Sequence, residues 1–284
     1  MLECEPDTKS NYRELSQDRR SSSAVSKIQL LVSFARRAFF LEEARMKEKR
    51  KGIKPALKTG LKMGEISVLT DGHRDMIRCF LNGDITLGLG CAGTGKTFMA
   101  VALALREIFR PESPFSRIIL VRSTVPVRGV GFLPGTEQEK CAPYERPFIA
   151  CVNEIMGRGD AYHVLKDHGA IEFHSTGHEQ GLTYRDAIVI IDEAENLNFK
   201  ELDLITSRLG ENCKLFIIGD LAQDYVTSRS EQSGLRQYLK IMDYMADDEE
   251  GGVGVVWFRE EDIVRGELVR RYIIAKNRVL DAAA

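Results

Sequence analysis

The stretch at residues 85–97, I-T-L-G-L-G-C-A-G-T-G-K-T, constrains this chain more than any other. It opens as a short apolar strand, passes into a glycine-rich loop, and runs on into the alanine-rich helical sequence F-M-A-V-A-L-A-L-R-E-I. Gly90, Gly95, Lys96 and Thr97 fill every fixed position of G-x-x-x-x-G-K-[ST], in the strand–loop–helix context that this phosphate motif requires. Glycines let the backbone turn successive N–H groups, and the helix N-terminus behind them, toward an anion. Gly90, Cys91, Ala92, Gly93, Thr94, Gly95, Lys96, Thr97 and Phe98 are therefore expected to cradle the phosphates of a nucleotide. Lys96 is placed to reach the β- and γ-phosphates and the Thr97 hydroxyl to hold Mg2+, so ATP and Mg2+ are the expected ligands.

A second carboxylate-bearing strand completes the pattern. Residues 187–191, A-I-V-I-I, form the most apolar run in the chain and deliver Asp192 and Glu193 at its end. A buried strand of this kind presents one carboxylate to the metal and a second to a water. Asp192 is expected to hold Mg2+, directly or through water, and Glu193 to orient and polarise the attacking water. A further apolar strand, 214–220, ends in G-D-L-A-Q. If it lies between the other two, Asp220 and Gln223 sit beside the γ-phosphate, and Gln223 can sense hydrolysis.

The remaining elements fall around these strands. Residues 1–22 read as a polar tail, and Val25, Ile28, Leu31, Val32, Ala35 and Phe39 recur at helical spacing up to about residue 49. The end of that helix is basic (Arg45, Lys47, Lys49, Arg50), which suits either the helix dipole or the phosphates of a nucleic acid. Gly52 and Pro55 end it, so the division expected is 1–60 for the tail and helix and 61–284 for the phosphate-loop domain. Helices are expected from residue 72, over 137–156 with breaks or kinks at Pro143 and Pro147, and over 198–209, 234–245 and 262–278. Strands are expected at 117–122, 170–174 and 254–258, with a Pro/Gly-rich loop at 125–135. Alternating strands and helices predict an α/β fold: a single open, mostly parallel sheet with its site at the strands' C-terminal ends, preceded by a helical extension.

Composition narrows the partners. A formal charge of −2 on 284 residues makes no global case for a polyanion, so any nucleic-acid site must be a local basic patch. No apolar run approaches the roughly 18 residues a membrane helix needs, and the polar, acidic start is unlike a secretory signal, so a cytoplasmic protein is expected. The six cysteines contain no C-x-x-C pair and argue against a disulfide framework or zinc knuckle. Cys91 reads as a redox switch activated by the helix dipole or as a small residue that fits the loop. His163, His168, His174 and His178 match no standard zinc spacing.

Taken together, G-C-A-G-T-G-K-T, R-I-I-L-V-R, G-F-L-P-G-T-E-Q-E-K, G-L-T-Y-R-D-A-I-V-I-I-D-E-A-E-N, S-R-L-G, G-D-L-A-Q and E-D-I-V-R-G-E-L-V resemble the PhoH family of phosphate-starvation-inducible ATPases, over about residues 72–276. The G-F-L-P-G block and the I-V-R-x-x-L-V ending are the specific parts. The resemblance implies a single RecA-like P-loop core related to superfamily 1 helicases, with ATP hydrolysis and RNA binding. It also implies a short form, without the spaced carboxylates of a PIN nuclease domain. Where the family commonly has a glutamine ahead of the first strand, this chain has His73, which bears on adenine selectivity. Glu195 stands where the family has a neutral amide, and Gly266 where it tends to have histidine.

Three functions compete at this level. The first is an ATP-driven motor on single-stranded RNA or DNA, with Arg122, Thr124, Arg128 and Lys140 lining the polymer path. The second is an ATP switch that assembles without moving anything, and the third a P-loop phosphotransferase. One sheet supplies only one face of an ATP site closed between two such sheets. A homo-oligomer is therefore expected, a six-membered ring by resemblance, with a neighbour's arginine completing the site. Arg265 is the first candidate, unless it only pairs with Glu260, Glu261 or Asp262, and Arg208 is the second.

Overall fold

The computed structural model describes residues 59–123, 137–176, 183–221, 234–247 and 252–282, all within the unit Lys54–Ala284. The expected N-terminal tail and helix, Thr124, the 125–135 loop with Arg128, His178 and Gln223 lie outside the described residues, as does the side chain of Lys140.

Six strands form one parallel sheet: β1 (Ile85–Gly90), β2 (Arg117–Arg122), β3 (Ile171–Ser175), β4 (Ala187–Asp192), β5 (Cys213–Gly219) and β6 (Val253–Phe258), in the order β3-β2-β4-β5-β1-β6. Between them run α1 (Asp71–Asn82), α2 (Lys96–Phe109), α3 (Glu137–Met156), α4 (Ala161–Asp167), α5 (Phe199–Thr206), α6 (Leu235–Ala246) and α7 (Glu267–Ala282). The strands read as continuous apolar runs because both faces of the sheet are covered. Ile118, Leu120, Ile188, Ile190, Phe216 and Ile218 face one core with Phe80 of α1, Met99 and Leu103 of α2 and Phe148 of α3. The alternate residues Ile119, Val121, Val189, Ile191, Leu215 and Ile217 face a second core with Leu202 of α5 and Tyr238 and Met242 of α6. Strand alternation thus assigns every second side chain to an opposite layer.

Three expectations change in the structure. Pro143 and Pro147 do not interrupt α3. Both are exposed and sit four residues apart on one helix face, where water can satisfy the carbonyls their rings leave unpaired, while Phe148 and Val152 are buried. The last helix begins at Glu267, not residue 262, because a short 3-10 turn at Glu260–Asp262 comes first. The short α4 carries no strong periodic signal and was not expected. The strand β5 does lie between β4 and β1, which brings the ends of all three together. Among the described residues, no helix is long and apolar enough to cross a membrane.

Candidate active site

The phosphate loop is a backbone structure held from several sides. Gly90 has φ +108, and a Cβ there would fall 2.3 Å from the Phe258 carbonyl oxygen, so close passage of β1's end against β6 requires glycine. That approach lets the Cys91 N–H donate to the Phe258 carbonyl at 3.0 Å. Gly95 caps α2 in the left-handed region, and the Thr94 hydroxyl donates to the Cys91 carbonyl at 3.0 Å, closing the turn on itself. Lys96 opens α2 and folds over the loop, with Nζ donating to the carbonyls of Gly90 (2.7 Å) and Cys91 (2.6 Å). Burial pushes this ammonium below the ordinary lysine range, and the nearby Asp220 and Glu195 carboxylates oppose that shift.

His73 belongs to this loop. Its ring is buried, the Leu69 N–H donates to Nδ1 at 3.3 Å, and Nε2 lies 2.7 Å from the Thr94 carbonyl. Because Nδ1 accepts, Nε2 carries the proton and donates to Thr94. Both ring nitrogens are engaged with backbone, which ties the start of α1 to the phosphate loop. The C-terminal segment holds the other side. The Val264 N–H donates to the Gly93 carbonyl at 3.1 Å, and a Cβ on Gly93 would come within 3.0 Å of Arg265 Cγ and Ile273 Cδ1. Asn277 Nδ2 donates to Cys91 Sγ at 3.3 Å. Burial pushes the Cys91 thiol up, which fits a small packed residue better than a thiolate switch.

The side expected to hold the metal forms where β4 ends. Thr97 Oγ1 donates to Asp192 Oδ1 at 2.7 Å across 95 residues of sequence. Asp192 is buried, which raises its carboxyl above the usual range against the pull of the Thr97 hydroxyl and Arg122. A hydroxyl and a carboxylate side by side next to a phosphate loop suit Mg2+, which takes one or two protein oxygens and completes its shell with water and phosphate. No group of three His, Cys, Asp or Glu among the described residues forms a metal site of its own. His174 instead meets Glu172 at 3.1 Å, and His168 Nδ1 contacts the Val164 carbonyl at 2.8 Å.

Glu193 follows Asp192 with φ +52, a left-handed backbone that is strained for a side-chain-bearing residue. Arg122, at the end of β2, donates Nε to Glu193 Oε2 at 3.0 Å and Nη2 to Oε1, and its Nη1 lies 3.8 Å from Asp192 Oδ2. Register explains the contact: β2 and β4 pair with Arg122 opposite Asp192. Glu195, two residues on, is buried and accepts from the Asp220 N–H at 3.0 Å, tying β4's end to β5's. Burial pushes its carboxyl up to about 7, with the Glu193 and Asp220 charges adding to the rise and backbone N–H groups opposing it.

The structure thus brings together Lys96, Thr97, Asp192, Glu193 and Asp220, and adds Arg122, expected on a polymer path, to the carboxylate pair. Arg265 is exposed and packs on its own chain's loop, and no ion pair joins it to Asp262. Asp262 accepts instead from the N–H groups of Gly72 (3.0 Å) and Arg259 (2.9 Å). Arg208 follows α5, its carbonyl accepting from the Tyr184 N–H at the N-terminal edge of the sheet, opposite the phosphate loop. The roles of His73 and Glu195 were not legible in the sequence, since each depends on a partner 21 to 25 residues away, beyond a helix and a strand.

A family model described as PhoH-like protein matches residues 65–276. The PhoH-like protein of Bacillus subtilis is 33% identical over 217 residues, 75% of this chain and 64% of that protein, so the matched part leaves over a third of the relative uncovered. The PhoH-like protein of Synechocystis is 31% identical over 261 residues, 91% of this chain and 75% of that protein. Among solved structures, the large terminase of bacteriophage HK97 is similar with a TM-score of 0.47 and 14% identity, over 76% of this chain and 48% of that one.

Proposed function

Because the chain belongs to the PhoH-like family, we propose that it is an ATPase whose hydrolysis is coupled to single-stranded nucleic acid, RNA foremost, within a ring of its own copies. The observation that carries the ATPase reading is the 2.7 Å contact between Thr97 and Asp192, with Lys96 and Glu193 at its two sides. Two separate chain segments thereby meet as a phosphate cradle, a metal-binding pair and a general base. When bound, Mg2+ neutralises charge on the β- and γ-phosphates. The chain's own residues do the rest: Lys96 exchanges its loop carbonyls for phosphate oxygens, and Thr97 and Asp192 orient the cation. Glu193 takes a proton from the attacking water. Asp220, at the end of the strand between the two motifs, is placed to follow the state of the γ-phosphate.

Support for the polymer comes from the family and from Arg122, a basic side chain at the strand end beside the base, 13% exposed. Support for a ring is the single sheet, which covers one side of a nucleotide. Arg265, exposed beside the phosphate loop, is the first arginine this reading offers to a neighbour's site, and Arg208, at the opposite end of the sheet, is the second. The deciding experiment measures ATP turnover by the full chain with and without single-stranded RNA and DNA. Stimulation by either supports the coupled ATPase, and turnover unaffected by both refutes it. Phosphate transfer to a metabolite in place of release would show a phosphotransferase. Mixing Lys96→Ala with Arg265→Ala chains, and separately with Arg208→Ala chains, tests the ring: recovered activity supports a shared site, and full activity of a dilute monomer refutes it.

A further inference from the structure

We infer that Arg122 is a latch on the catalytic glutamate: its guanidinium holds Glu193 in a resting pose, and a backbone phosphate of single-stranded nucleic acid releases Glu193 by taking the guanidinium over. The release half rests on the polymer coupling proposed above; the resting half does not.

The geometry carries the resting half. A general base must offer a carboxylate oxygen to the water it activates, within hydrogen-bond reach. Here Nε and Nη2 of Arg122 form a fork on both Glu193 oxygens, and Asn196 Nδ2 adds a contact to Oε2 at 3.4 Å. Planar, charge-assisted forks of this kind are among the strongest side-chain pairings. The two partners differ in freedom: the Arg122 side chain is 13% exposed and that of Glu193 is 42% exposed. The guanidinium is therefore the lodged half and the carboxylate the half able to swing away.

The same asymmetry argues for an exchange of anions. Removing Glu193 alone would leave a largely buried guanidinium with, among the described residues, only Asp192 at 3.8 Å as a charged neighbour, and an uncompensated buried charge is costly. A phosphate diester fits the guanidinium fork as a carboxylate does, so its arrival replaces the lost partner. Strand order gives the coupling a direction. The strand β2 lies on the far side of β4 from β1, so a ligand over the β2–β3 half reaches the nucleotide half through this pair.

The test uses the full chain and steady-state ATPase assays. In Arg122→Gln, turnover without polymer should rise at least about fivefold, on the scale of a hydrogen bond to a charged group. Added RNA or DNA should bring no further stimulation, and a separate ATP titration reads any change at Asp192, which Arg122 also faces. Arg122→Lys, which keeps the charge without the fork, should give an intermediate rate, and serves if the glutamine variant does not fold. Unchanged or lower polymer-free turnover in a variant that binds ATP normally overturns the latch, whatever polymer does to wild type. Wild type stimulated as strongly by inorganic phosphate as by RNA or DNA overturns the release half. Wild type unmoved by any polymer defeats the coupled-ATPase reading and the release half, while a raised rate in Arg122→Gln still supports the resting pose.

Discussion

Glu195 makes stability depend on pH in a direction opposite to that of a salt-bridged carboxylate. Its carboxyl lies buried between the ends of β4 and β5, and burial lifts it from 4.5 to about 7. Between those values the folded chain keeps a proton that the unfolded chain releases. Stability therefore falls as pH rises: the contribution is whole below about 4.5 and lost once pH passes about 7. A gap of that size corresponds to about 3 kcal/mol, at about 1.4 kcal/mol for each pH unit. Asp192, Lys96 and other groups titrate as well, so the measurement must isolate this one. Glu195→Gln does so, because its amide oxygen can still accept from the Asp220 N–H in nearly the same volume. Urea unfolding of both proteins at pH 4.5, 6, 7 and 8 should show the variant gaining on wild type as pH rises, by about 3 kcal/mol across the series. A difference that stays flat from pH 4.5 to 8 would refute the reasoning, and would mean that Glu195 is ionised in the folded protein at no cost.

Glu193→Gln should bind ATP as wild type does but turn it over at least ~10²-fold more slowly, whereas Lys96→Ala should lose nucleotide affinity; calorimetric titration beside a phosphate-release assay separates the two. Gly90→Ala should destabilise the fold by about 1–3 kcal/mol, because its Cβ meets the Phe258 carbonyl in a left-handed backbone, and a thermal melt without loss of Tm would contradict this. His73→Phe fills the same space without the bond to Thr94 and should weaken ATP binding about tenfold, on the scale of a buried hydrogen bond left unmade; unchanged affinity would free His73 from the loop.

What the sequence alone determined was local. The phosphate loop is a backbone conformation set by neighbouring glycines, so Gly90, Gly95, Lys96 and Thr97 identify it without reference to the rest of the chain. Buried parallel strands likewise announce themselves as unbroken apolar runs, which is why β1, β2, β4 and β5 and the carboxylates Asp192 and Glu193 stood out. Local patterns misled where a helix start depends on what lies beside it, as at the Asp262 turn before α7. Only the tertiary structure decided the pairings across the site. Strand order set β5 between the two motifs, and register brought Arg122 onto Glu193 and not outward toward solvent. The same packing turned His73 onto Thr94, buried Glu195 at Asp220 and laid Arg265 on its own loop. Those contacts join residues far apart in the chain, and their energies come from burial and geometry that exist only once the sheet is assembled.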